Sequence, residues 1–138
     1  MSKLYVLDAC ALIALLTRED GAETVKALLN SAYGGEAHIS MHKLNLLEVY
    51  YGDYRAHGKI AANDMLGKVK KLPVTIIPEI NDEIFFEAGR LKASYKISFA
   101  DSIALAEASV SDAALLTADH HELDVIEKKE RITFYWIR

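Results

Sequence analysis

Five short apolar runs, separated by longer segments of helical periodicity, constrain this chain more than any other feature. They are Lys3–Leu7, Ala37–Ser40, Val74–Ile77, Ala113–Thr117 and Thr133–Ile137. Short runs rich in apolar residues suit strands buried on both faces, and strands that alternate with helices build a parallel sheet covered on both sides. Helices are expected over Cys10–Leu16, Ala22–Asn30, Met41–His57, Ile60–Lys71, Asp82–Tyr95, Phe99–Val110 and His121–Ile126. Gly34-Gly35 and Gly58 end two of them, and the only prolines, Pro73 and Pro78, bracket the third strand. The third helix carries an apolar stripe, Leu44, Leu47, Tyr51 and Tyr54, expected to face inward. The fifth carries Ile84, Phe85, Ala88, Leu91 and Tyr95 at the same spacing. Pattern alone leaves the strand order open.

At 138 residues the chain has the length of one domain, with 51% apolar and 26% charged residues, the balance of a globular protein. A single cysteine, Cys10, excludes an internal disulfide and a Cys-clustered metal site, and fits a reducing compartment. Met1–Leu16 has the outline of a secretion signal, but Asp8 interrupts its apolar run. Ala9–Leu16 is far shorter than the roughly 18 residues a membrane span needs. The segment is read as strand then helix, and a cytoplasmic location without membrane attachment is expected. Twenty acids against sixteen bases give a net charge of −4, which on its face argues against nucleic-acid binding.

Four acids alter that argument by their positions. Asp8 directly follows the first strand and Asp119 follows the fourth, where ligands of open parallel sheets bind. Either also suits a helix N-cap. Glu48, four residues after Leu44 and three before Tyr51, lies on the inward stripe, and Asp101 is in line with Ala104, Leu105 and Ala108 on the most apolar helix. An acid among core positions is unfavourable unless paired or bound to a metal. A salt bridge would satisfy Glu48, and the helix dipole, with Ser98 as cap, would satisfy Asp101. Taken together, four acids at one rim of one sheet cannot all stay ionised without a cation. Oxygen ligands with no Cys or paired His select Mg2+ or Mn2+, and such ions are completed by waters and substrate phosphate. The chemistry implied is metal-dependent phosphoryl transfer.

Val6-Leu7-Asp8-Ala9-Cys10-Ala11-Leu12-Ile13, Asn45-Leu46-Leu47-Glu48-Val49-Tyr50-Tyr51-Gly52, Ala100-Asp101-Ser102-Ile103-Ala104-Leu105-Ala106 and Leu115-Leu116-Thr117-Ala118-Asp119 resemble, in order, the four sequence blocks of PIN-domain ribonucleases. In size and order they look most like VapC-type toxins of prokaryotic toxin–antitoxin pairs. The resemblance spans almost the whole chain. It implies one PIN domain over residues 1–138, a three-layer α/β/α fold with a five-stranded parallel sheet, and Mg2+- or Mn2+-dependent endonucleolytic cleavage of RNA. Position by position, Asp8, Glu48, Asp101 and Asp119 match the family's metal-binding acids, Thr117 a hydroxyl residue of the last block, and Asn45 a polar position one turn before the glutamate. It also implies a homodimer and a small antitoxin partner. His120-His121 after Asp119 departs from the usual pattern.

The expected mechanism places one ion on Asp8, Glu48 and Asp101, with Asp119 at its edge or helping a second ion, and in-line attack of water leaves 5′-phosphate and 3′-hydroxyl ends. Rival readings remain. His120-His121 as an acid–base pair would leave a 2′,3′-cyclic phosphate, although adjacent helical residues do not share a face. A receiver or haloacid-dehalogenase domain would want acids that are missing around Asp8. A PIN-like RNA-binding or assembly module would lack metal-dependent cleavage. Cys10 reads as a buried structural thiol. Tyr50, Tyr51 and Tyr54 suit packing or base stacking, and Lys68–Lys71 a solvated helix end. Arg90, Lys92 and Lys96 are candidates for phosphate contact. With the four site acids set aside, sixteen acids balance sixteen bases, which permits RNA binding.

Overall fold

The computed structural model describes residues 2–138. Its elements in chain order are β1 (Lys3–Leu7), α1 (Ala9–Leu16), α2 (Ala22–Tyr33), β2 (Ala37–His42), α3 (Lys43–His57), α4 (Lys59–Lys70), β3 (Val74–Ile77), α5 (Asp82–Ser94), α6 (Phe99–Ser111), β4 (Ala114–Thr117), α7 (His120–Lys129) and β5 (Thr133–Trp136). All neighbouring strands pair in parallel, in the order β3-β2-β1-β4-β5. The chain runs outward from β1 in one direction through β2 and β3, then returns to the other side of β1 for β4 and β5. Between β1 and β4 the connections diverge, and a crevice opens at the carboxyl ends of those strands.

Strand side chains alternate between two apolar layers. Leu7, Ile39, Met41 and Leu116 pack with Leu12, Val25, Leu29, Val49, Met65 and Val69 of α1 to α4. Val6 and Leu115 pack with Ile84, Leu91, Ile103, Leu105, Leu123 and Ile126 of α5, α6 and α7. The three-layer α/β/α architecture expected from the sequence is the one observed.

Helix ends follow local chemistry. Asp8, Asn81, Ser98 and Asp119 each accept a first-turn backbone N–H at the start of α1, α5, α6 and α7. Buried His42 caps α3, its Nδ1 accepting from Leu44 N at 3.0 Å while Nε2 donates to the Glu79 carbonyl at 3.0 Å. Burial lowers its pKa and favours this neutral imidazole.

Two expectations about facing are corrected. On α3 the buried residues are Asn45 and Val49, whereas Leu47, Tyr51 and Tyr54 are about half exposed. Phe85 of α5 is 63% exposed. Both helices border the same edge of the molecule. There α3 packs on its neighbours through Leu46, Val49 and Tyr50, so the stripe of Leu47, Tyr51 and Tyr54 is not the buried one. Met41 and His42 also belong to β2 and not to the following helix, because they continue the ladder opposite Ile76 and Ile77.

Candidate active site

The four acids singled out by position reach the crevice by four different local routes. Asp8 is the first residue beyond β1. Its Oδ1 accepts from Ala11 N at 2.8 Å, so the cap fixes the side chain. Asp119 repeats this after β4, with Oδ1 accepting from Glu122 N at 3.2 Å. Asp101 sits in the first turn of α6, where its N–H donates to Ser98 Oγ at 3.0 Å. Glu48 projects from the middle of α3 and is half-buried. Glu48, Asp101 and Asp119 line one pocket of about 350 Å3 with Cys10, Ser98 and Glu122. Asp8 lies behind it, 2% exposed.

Among the described residues no basic side chain lines the pocket beside these carboxylates, and the acids repel one another. Burial pushes Asp8 up to about 7, and repulsion from Asp101 and Asp119 adds to that. The Thr117 hydroxyl and the Ala11 N–H hold it down in part. Burial pushes Asp101 up to about 6, with Asp119, Glu48 and Glu122 adding repulsion. Glu48 is raised by burial and by Asp119. These mutual effects bring all four expected acids into one electrostatic unit.

Thr117 and Asn45 stand behind the acids. Thr117, the last residue of β4, is fully buried; its Oγ1 accepts from Asp119 N at 3.2 Å and its hydroxyl faces Asp8. It therefore links the two strand-end acids. Asn45 is 1% exposed and donates from Nδ2 to the Ala100 carbonyl at 2.9 Å, tying the first turn of α3 to the residue preceding Asp101. Its Oδ1 is buried without a partner among the described residues.

A PIN domain family model matches residues 5–129. The chain belongs to the PIN domain family. No curated protein is detectably similar in sequence. Among solved structures, the fold is similar to VapBC2 from Rickettsia felis bound to a promoter DNA fragment, at 16% identity and TM-score 0.74, with 96% of this chain and 98% of that one covered. It is similar to VapBC-1 from nontypeable Haemophilus influenzae at 19% identity and TM-score 0.72, covering 97% and 98%. It is also similar to VapC20 of Mycobacterium tuberculosis, described as a sarcin–ricin loop cleaving toxin, at 15% identity and TM-score 0.59, covering 80% and 86%.

In this PIN domain the donor set suits a hard divalent cation. Among the described residues, no three His, Cys, Asp or Glu side chains are grouped closely enough to hold a metal ion between them. A pocket walled by spaced carboxylates instead fits Mg2+ or Mn2+, which keep several waters and take only one or two carboxylates directly. The pocket also contains two acids not anticipated from sequence, and one of them, Glu19, is paired with Arg138 at 3.2 Å. The other, Glu122, raises Asp101. Its signal was present as Asp119-x-x-Glu122, a capping-box spacing one turn into α7. His120 and His121 do not form an acid–base pair at this site. His120 stacks on Trp136 at 3.8 Å and contacts Asp124 and the Arg138 carbonyl, and His121 faces a separate pocket.

Proposed function

We propose that this PIN domain is a metal-dependent endoribonuclease and the toxin of a toxin–antitoxin pair. The observation that carries the reading is the convergence of Asp8, Glu48, Asp101 and Asp119, with no basic side chain lining their pocket among the described residues, on the crevice where the sheet's connections diverge. Bound Mg2+ or Mn2+ would supply Lewis-acid stabilisation of the scissile phosphate and activation of a water. Asp8, Glu48 and Asp101 would hold the ion, directly or through its waters, with Asp119 and Glu122 at its edge. Asp119 orients the attacking water and accepts its proton. Thr117 keeps Asp8 and Asp119 in register, and Asn45 keeps α3 and α6 together. The products carry 5′-phosphate and 3′-hydroxyl ends.

The partner surfaces follow from two apolar features. A groove between α1, α3 and α4, lined by Ile13, Leu16, Val49 and Met65, opens beside the acid pocket, since Ile13 lines both. It is suited to a segment of a small antitoxin, which would then obstruct the pocket. Ile80, Phe85, Phe86 and Phe99 form one exposed apolar surface, and Ile80 continues it to Leu44 and Leu47. It is suited to a second copy of the chain. VapBC-5 from Mycobacterium tuberculosis, similar in fold at 16% identity and TM-score 0.61, is described as a member of the VapBC family of toxin–antitoxin systems.

Incubation of purified protein with total RNA, with and without Mg2+ or Mn2+, tests the reading. Cleavage that needs the ion and disappears in Asp101→Asn supports it, with a rate loss of about 10²-fold or more, as for other electrostatic groups at reacting centres. Ion-independent cleavage, 2′,3′-cyclic ends, or RNA bound but never cut would overturn it.

A further inference from the structure

Beside the acid pocket lies a second, more basic one of about 490 Å3, lined by Ser94, Tyr95, Lys96, His121, Glu122 and Val125. The two pockets share Glu122, and the connector from Tyr95 to Ser98 runs from the wall of one to the wall of the other. They are neighbouring parts of one groove between the end of α5 and the start of α7.

The basic side chains near this groove differ in their commitments. Arg90 is clamped by Glu87 at 2.7 Å and Glu130 at 2.8 Å. Lys92 donates from Nζ to the Ile97 carbonyl at 2.6 Å. Tyr95 donates to Glu130, and Ser94 to the Arg90 carbonyl. Lys96 is exposed and has no ion-pair partner among the described residues. An ordinary solvated lysine at a helix C-terminus answers the dipole, but Lys92 already occupies that end of α5 and caps the following carbonyl. The acid pocket itself repels phosphates that lie outside reach of its ion, so a strand crossing it needs a cation alongside.

We propose that this groove seats a backbone phosphate of the RNA next to the scissile one, with Lys96 as its cation. The proposal rests on the nuclease reading and names a substrate subsite for it. The test uses full-length Asp101→Asn protein and a fluorescent single-stranded RNA, with anisotropy followed across a NaCl series. One phosphate contact on a single strand contributes about 0.7 to the slope of log affinity against log salt, and about fivefold in affinity at 0.1 M. Adding Lys96→Ala should remove that increment, Lys96→Arg should retain it, and Lys59→Ala, on α4, should leave it unchanged. An unaltered slope in Lys96→Ala, or an equal loss in Lys59→Ala, overturns the subsite. A wild-type protein that cleaves RNA while Lys96→Ala keeps the full slope defeats this proposal alone; a wild-type protein that cleaves no RNA defeats the nuclease reading beneath it.

Discussion

Asp8 is held where a carboxylate is least comfortable, and the cost has a definite sign. Its folded pKa, about 7, lies well above the 3.8 of a free aspartate. A group raised in this way contributes stability that is fully present below its unfolded pKa and is lost as pH rises through the folded value. Three units correspond to roughly 4 kcal/mol as an upper bound. Metal-free protein should therefore lose stability between about pH 4 and pH 7, with Asp101 adding to the loss up to its value of about 6. Asp8→Asn keeps a competent cap and removes the charge. In EDTA at pH 8 it should melt several degrees above wild type; at pH 4.5 the two should nearly coincide. Added Mg2+ should raise the wild-type melting temperature and leave the variant's unchanged, and the variant should cut no RNA. A variant less stable than wild type at pH 8 would contradict this account of the site.

Glu122 shows where reading single residues stopped short. Asp8, Asp101 and Asp119 stand out because an acid at a strand end or on an apolar helix is locally odd. Glu122, in the first turn of an ordinary polar helix, is locally normal, and only the fold brings it to the pocket. Glu48 was found through a stripe that proved to be largely exposed, although the acid itself lines the pocket. Glu122→Gln should reduce cleavage about tenfold or more without lowering the melting temperature, since it removes one electrostatic contributor among several. Single-turnover rates beside thermal melts would check both halves.

At the scale of elements, the site depends on how α3 and α6 meet. Glu48 and Asp101 belong to different helices, and the buried Asn45 Nδ2 to Ala100 carbonyl bond joins the two near both acids. Asn45→Ala removes one donor from that carbonyl, which the α6 ladder still partners, a loss of about 0.5–1.5 kcal/mol. It should lower the melting temperature and raise the ion concentration needed for half-maximal cleavage; unchanged metal dependence would mean that the bond does not position the acids. A second junction is set by Gly21, the N-cap of α2. It has φ +97°, and a Cβ there would lie 2.8 Å from the Ile137 backbone oxygen. Gly21→Ala therefore combines a left-handed backbone, about 1 kcal/mol, with a clash at the C-terminal segment. Chemical denaturation should show a loss beyond the backbone cost alone. Neither junction was legible in advance, because each joins residues distant in sequence. The strands and helix caps were legible, since Pro73, Gly58, Asp8 and Ser98 act on their immediate neighbours. The extension of β2 through His42 was not, because its pairing with β3 is long-range.

On the whole molecule, the acids and the apolar side chains divide the surface between chemistry and association. The net charge of −4 is no bar to RNA once a divalent cation sits among the carboxylates, because the ion reverses the local sign. The apolar surface at Ile80, Phe85, Phe86 and Phe99 has no such chemical use. Contiguous apolar patches of this kind on a folded chain mark association sites, and a self-complementary patch closes into a two-fold dimer. Wild-type protein should then sediment near twice the 15.3 kDa of one chain. Phe86→Glu should shift it to the monomer mass while keeping a cooperative melt, because Phe86 is 71% exposed and outside the core. As the control, Val125→Glu places the same charge on an exposed apolar residue of α7, away from that surface, and should leave the mass unchanged. A monomeric wild type, or dissociation by both variants alike, would rule this surface out as the dimer face.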